Sequence, residues 1–160
     1  QKKANWLCFK EEGGMTREVI SHFLFFSERV LGSLELRWAK VIYPKDNLLC
    51  ETDVLARLET RDGKCVNILA SIGGIQPDRQ EMTVRGTAKS RRISEFYKDS
   101  ESDGTEFIPL RDEPKDPRAV SLKAQLDELE KLFSGHPNKL ATIDEAFKVQ
   151  VLIESILAST

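Results

Sequence analysis

The sequence predicts an α+β fold: a mostly antiparallel open sheet with helices packed on one face. Three observations carry that expectation. Apolar residues recur at helical spacing near the start of the chain, from Val19 to Leu31, and again only after Asp116. Between them lie segments in which apolar and polar residues alternate, joined by short glycine-containing turns. No strand in that run is followed by a helix and a further strand, so the βαβ unit of a parallel sheet is excluded within these residues.

The elements follow in order. Gln1 to Glu12 is polar apart from Trp6, Leu7, Cys8 and Phe9, which read as a short strand or a loop, and Gly13-Gly14 breaks this segment. The first helix starts at Thr16, whose hydroxyl is expected to cap it by accepting from a backbone N–H of the first turn. Met15 and Ile20 have the spacing of a hydrophobic staple, and Glu18 sits where the helix dipole favours negative charge. Val19, Phe23, Phe26 and Val30 form one apolar stripe, widened by Ile20, Leu24 and Leu31, and Gly32 ends the helix.

Leu34, Leu36 and Trp38 alternate with Glu35 and Arg37, and Lys40 to Tyr43 extends this strand to Pro44. After a loop from Lys45 to Cys50, Val54, Ala56 and Leu58 alternate with charged residues. Arg61-Asp62-Gly63-Lys64 is a hairpin turn, read as type I′ from its Asp-Gly pair. Val66, Ile68, Ala70 and Ile72 form the return strand. Gln80 to Arg85 and Arg91 to Tyr97 make a second antiparallel pair around Gly86-Thr87-Ala88. Lys98 to Gly104 reads as an exposed, mobile connection, and Glu106 to Leu110 as a last strand.

Two helices close the chain. Asp116 caps the first ahead of Pro117, and Leu122, Leu126, Leu129 and Phe133 form its stripe. Thr142-Ile143-Asp144-Glu145 is a capping box for the second. Ile143, Phe147, Ile153 and Leu157 line one face of it, broadened by Val149, Val151, Leu152 and Ile156. That helix is expected to be well buried.

The 160 residues suit one compact domain, with 40% hydrophobic and 31% charged residues. A formal charge of -2 leaves no electrostatic footprint for nucleic acid or an anionic membrane. The basic group Lys89, Arg91 and Arg92 reads as a solvated strand end. No membrane-spanning run is read in the sequence, and no secretory signal is expected. Three cysteines, Cys8, Cys50 and Cys65, have no CxxC spacing and are expected to be small buried thiols, which points to a reducing, cytoplasmic setting. With His22 and His136 as the histidines, no pair has zinc-ligand spacing, so no metal is expected. Because the chain opens at Gln1 in a polar stretch, a further N-terminal part is expected.

Glu18 and His22 stand four apart on the first helix and share a polar face with Arg29, interrupted by Phe25. A histidine beside a carboxylate suits acid–base work near neutral pH, because the carboxylate orients the ring and supports its protonated form. The same spacing also occurs as an ordinary surface pair, and on spacing alone both readings stand.

Three motifs carry a resemblance. Gly13-Gly14-Met15, followed by Glu18 and Ser21-His22, resembles the glycine turn and Asp-x-x-x-His helix that open the C-terminal domain of the Gfo/Idh/MocA oxidoreductases. Val84-x-Gly86-Thr87-x-x-Ser90 is similar to a strand turn of that family. Asn138-Lys139-Leu140-Ala141-Thr142, with Glu145-Ala146, Val149-Gln150 and Glu154-Ser155-Ile156, is similar to its tail. The three fall in the family's order and span nearly the whole chain.

The resemblance implies a domain like the C-terminal half of glyceraldehyde-3-phosphate dehydrogenase, which closes over a sugar, polyol or related small-molecule substrate. NAD or NADP would be held mainly by a preceding Rossmann domain, so this chain alone binds no cofactor and is inactive. By position, His22 becomes the general acid or base and Glu18 replaces the family aspartate. Trp6 walls the substrate pocket, with an ordinary core or surface tryptophan as the other reading, and Arg29 contacts substrate. The resemblance also implies a homo-oligomer paired through a sheet face, for which Trp38 and Phe96 are candidates, with inward-facing core as the other reading of both. Ile20 stands where the family has glycine, and Phe25 where an acidic residue is common. These departures keep open a non-catalytic dimerisation or ligand-binding module, as well as a reaction in which oxidation is transient. His136 reads as a helix-ending residue. Arg91 and Arg92 read as solvent-exposed, with binding of a substrate phosphate or carboxylate as the other possibility.

Overall fold

The structure, a computed structural model, describes residues 5–159. The chain forms two compact units. One comprises the segments up to Ile75 and from Ala141 onward; the other is Gln76–Leu140.

In the first unit a 3₁₀ turn (Asn5–Cys8) and a π turn (Thr16–Ile20) lead into α1 (Ser21–Leu31). Strands β1 (Leu34–Ile42), β2 (Asp53–Thr60) and β3 (Cys65–Ser71) follow. They make an antiparallel sheet in the order β1-β2-β3. The helix formed by Ile143–Leu157 returns to pack beside α1. Ile20, Leu24, Leu34, Val41, Val54, Ala56, Leu58, Ile153 and Ile156 belong to one buried cluster between these helices and the inner face of the sheet. Each large side chain so buried contributes about 1.5–3 kcal/mol of hydrophobic stabilisation.

Two details of this sheet depart from the expected pattern. A β-bulge lies between Leu36 and Trp38, so that Leu36 pairs with Leu58 but Trp38 pairs with Arg57. The extra residue reverses the alternation: Ala39 and Val41 take over the core face, while Trp38 is 55% exposed. The core reading of Trp38 is therefore corrected. The β2–β3 turn is also not type I′. Gly63 alone in it has a positive φ, of +85°, and its N–H donates to the carbonyl of Thr60 at 3.0 Å while Thr60 N–H donates to Lys64 O at 2.8 Å. This is a three-residue hairpin loop with glycine in the left-handed position.

The second unit holds a four-stranded antiparallel sheet, β4 (Glu81–Arg85), β5 (Ser90–Ser94), β6 (Lys98–Ser102) and β7 (Ile108–Pro109), and the helix α2 (Pro117–Phe133). The segment expected as a mobile connection is thus strand β6. It lacks apolar alternation because charge holds it: Lys89 pairs with Glu101, and Arg91 pairs with Asp99 at 3.4 Å and Glu101 at 3.1 Å. Arg92 stacks 3.7 Å from the centre of the Phe107 ring and pairs with Glu81 at 3.4 Å. The basic group is therefore woven into a sheet, not a solvated strand end. Glu95 and Phe96, with φ of 51° and 63°, form a turn closed by Tyr97 N–H to Ser94 O at 3.2 Å. The left-handed hairpin turn expected at Asp62-Gly63 occurs here instead. Phe96 lies in this turn and is partly exposed, so the core reading fails for it as well.

Helix α2 is capped as expected, by Asp116 accepting from Ala119 N–H at 3.0 Å. It ends with His136 N–H on Lys131 O and Gly135 N–H on Leu132 O, which is the Schellman pattern. Its stripe, Leu122, Leu126, Leu129 and Phe133, is exposed within the described residues. The final helix, α3 (Ile143–Leu157), has the full Thr142–Glu145 capping box. Val149, Leu152, Ile153, Ile156 and Leu157 are buried, but Ile143, Phe147 and Val151 are exposed. Only its C-terminal part is well buried. Of the thiols, Cys50 is buried, whereas Cys8 and Cys65 are exposed, which corrects the expectation for those two. No helix among the described residues is long and apolar enough to cross a membrane.

Candidate functional site

The segment before the first helix is held against the loop that leads into β2. Lys10 N–H donates to Leu48 O at 2.9 Å, and Cys50 N–H to Cys8 O at 2.8 Å. This pairing brings Glu51 under Gly13-Gly14. Neither glycine tolerates a side chain: a Cβ would fall 2.3 Å from Leu7 O at Gly13, and 2.4 Å from Glu51 Oε2 at Gly14, whose φ is +104°. The glycine turn is thus a close approach of backbone to backbone and of backbone to carboxylate.

Glu51 is 1% exposed. Its Oε1 accepts from Thr16 N–H at 2.8 Å and from the Thr16 hydroxyl at 2.6 Å. The expected cap at Thr16 is corrected on this point: its hydroxyl donates to a distant carboxylate instead of accepting from its own helix, and Met15 is the N-terminal boundary residue without a side-chain cap. The buried negative charge sits at the helix N-terminus, where the dipole favours it. Burial raises the Tyr43 hydroxyl and the Cys50 thiol above their usual pKa values, and the charge of Glu51 adds to both shifts.

The first turn is π, with Ser21 N–H reaching back to Thr16 O. Arg17, on this turn, donates bidentately to Glu154 of α3 at 2.9 Å and also to Lys10 O at 2.7 Å and Gly13 O at 3.1 Å. The pair with Glu154 raises the Arg17 guanidinium above its usual pKa. Phe9, Lys10, Glu11, Arg17, Asn47 and Leu48 line a cleft of 510 Å³ beside it.

The four site residues expected from the sequence all lie in the first unit. Trp6 is in the 3₁₀ turn that precedes the glycines and is exposed. Glu18 lies on the π turn, and His22 is in the first turn of α1; both are exposed. Their spacing of four therefore crosses from π to α geometry. Arg29 is at the far end of α1, where its guanidinium binds Glu145 of α3 bidentately at 2.8 and 2.9 Å and stacks 4.7 Å from the Phe25 ring. That pair raises the Arg29 pKa and holds the Glu145 carboxyl at about 2, with the Thr142 backbone N–H as a second cause. Ile20 is in the core and Phe25 packs against it, so both departures from the family pattern are packing residues here.

Sequence reasoning missed Glu51 and Arg17. The only local signal was the glycine pair itself, which marks a close approach without naming its partner.

The described residues do not form the parallel-strand crevice that holds a nicotinamide dinucleotide in a Rossmann-type sheet. Both sheets are antiparallel. The glycine turn at the helix N-terminus, where a phosphate would sit, is taken by the Glu51 carboxylate.

No protein-family profile matches the chain, and neither does any curated protein. Solved structures do match. A dehydrogenase (MviM) from Clostridium difficile superposes with a TM-score of 0.72 at 11% identity, over 91% of this chain and 48% of its own. An oxidoreductase from Agrobacterium radiobacter, in complex with NAD+, L-tartaric acid and magnesium, gives 0.70 at 17% identity, over 96% and 48%. The WlbA dehydrogenase from Bordetella pertussis, in complex with NADH and UDP-GlcNAcA, gives 0.69 at 16% identity, over 98% and 49%. The chain spans about half the length of these structures. Over nearly all of its length the chain shares its fold with about half of each of these dehydrogenase and oxidoreductase structures.

Proposed function

We propose that this chain is the substrate-binding and dimerisation half of a nicotinamide-dependent oxidoreductase that acts on a sugar, polyol or related hydroxy compound. The observation that carries the reading is the structural match: an oxidoreductase crystallised with NAD+ and a dehydrogenase crystallised with NADH share the fold over nearly all of this chain but only about half of theirs. A preceding Rossmann-type domain would hold NAD or NADP. Without it the chain is inactive, because hydride chemistry belongs to the cofactor. Within this chain, His22 exchanges a proton with the substrate hydroxyl through its imidazole nitrogen, and Glu18 orients the ring. Trp6 forms a wall of the pocket, and Arg29 contacts substrate from the end of α1. The outer face of the first sheet, with Trp38, Ile42, Leu55 and Leu69 exposed, pairs two copies of the protein. The free thiols accord with a reducing, cytoplasmic setting.

A second reading is supported by Ile20, Phe25 and the Arg29–Glu145 pair, which turn three positions of the helix toward packing. It makes the chain a non-catalytic dimerisation or ligand-binding module of the same fold.

Sequencing the source reading frame upstream of Gln1 separates the two. The first reading expects about 100–150 further residues, with a strand, a GxGxxG turn and a helix. A start codon directly before Gln1 would overturn it.

A further inference from the structure

We propose that Glu51 is a positioning residue for the Glu18–His22 pair: an internal anion that fixes the π turn from which both side chains take their direction. Its functional meaning rests on the acid–base role proposed for His22; its geometry does not.

A buried carboxylate is costly unless strong hydrogen bonds compensate it. Glu51 receives two from a single residue, Thr16, at 2.8 and 2.6 Å. Serine, threonine or aspartate at the boundary would satisfy the same N–H locally, but such a cap moves with its helix. Glu51 does not, because it is tied to the sheet: Thr52 N–H donates to Ile42 O at 2.8 Å, and β2 begins at Asp53. The Thr16–Glu51 bonds therefore fix the helix's rotation against the sheet as well as its first turn. That turn is π. One residue more or less in a turn rotates the residues before it by about 100° relative to those after it, so the direction of Glu18 relative to His22 is decided here. Gly14 is the space this arrangement needs, since a Cβ there would meet Glu51 Oε2 at 2.4 Å.

The test uses the 160-residue chain and its amide and histidine-ring NMR spectra. In Glu51→Gln, the Thr16 amide should lose roughly 10- to 100-fold of its protection from hydrogen exchange, the measure of a lost charge-assisted bond. The signals of Thr16 to His22, including the His22 ring, should move while those of β1–β3 stay in place. In Glu51→Ala, added formate should draw the same signals back toward wild type, and chloride should not. Three results would overturn the proposal. Glu51→Gln could leave the Thr16–His22 signals unmoved; formate could fail to act on Glu51→Ala; or both variants could lose the β-sheet signals, which would make Glu51 a residue of the fold at large. If full-length His22→Ala instead keeps its activity, the acid–base reading fails while the Glu51 result stands.

Discussion

Thr16 and Glu51 are joined twice through one oxygen: the backbone N–H and the hydroxyl of Thr16 both donate to Glu51 Oε1. Thirty-five positions separate the two residues, so this contact ties the helix that carries Glu18 and His22 to the loop entering the central strand of the first sheet. Gly14, before the helix, is a consequence of it.

Gly14→Ala should therefore destabilise the first unit. The left-handed backbone alone costs about 1–3 kcal/mol for a residue with a side chain, and the added methyl group meets the Glu51 carboxylate. Urea unfolding checks this; a change within about 0.5 kcal/mol would show that the turn relaxes freely.

Leu58→Ala and Leu126→Ala should differ sharply. Leu58 is fully buried in the central strand, and truncation there should cost about 2–5 kcal/mol. Leu126 is exposed on α2, and its truncation should stay within about 0.5 kcal/mol. A large loss at Leu126 would mean that the α2 stripe is covered in solution.

The Arg29–Glu145 pair sets a pH dependence. Glu145 sits at about 2 in the folded chain, below its ordinary value of 4.5. A depressed folded-state pKa adds stability above the unfolded value, and that stability is lost as pH falls through the folded one. Wild type should thus exceed Glu145→Gln in stability above a pH of about 4.5, with the gap closing toward about 2. Denaturant midpoints at several pH values test it; a gap constant across that window would contradict it.

The outer sheet face should govern self-association. Leu69 is 83% exposed on β3, so Leu69→Lys should leave the unfolding midpoint of the monomer unchanged and weaken any dimer seen by sedimentation. An unaltered dimer would move the interface elsewhere.

What the sequence revealed was local. The Gly32 stop of α1, the Asp116–Pro117 start and the Thr142–Glu145 box each depend on residues a few positions apart, and each stands in the structure. The α1 stripe is corrected: Ile20 and Leu24, read as its margin, are the buried residues, while Phe26 and Val30 are exposed. What it hid was long-range. Strand β6 carries no apolar alternation because its partners are Arg91 on the neighbouring strand and Lys89 in the turn before that strand. The bulge beside Arg37 turned Trp38 outward with no glycine to announce it. Thr16 reads as a cap because its type is right; only the fold supplies Glu51. Glu18 and His22 were visible as a pair, but the π turn between them was not. The exposed stripe of α2 was legible as apolar, while what it faces is not a property of spacing.

The most direct test of the central claim is steady-state kinetics of the full-length protein with NAD or NADP and a panel of sugars and polyols, comparing wild type with His22→Ala. The account predicts nicotinamide-dependent turnover and a fall of about 10²- to 10⁴-fold in kcat/KM for the variant. Turnover that survives the substitution intact would remove His22 from the chemistry and leave this chain as a binding or pairing module.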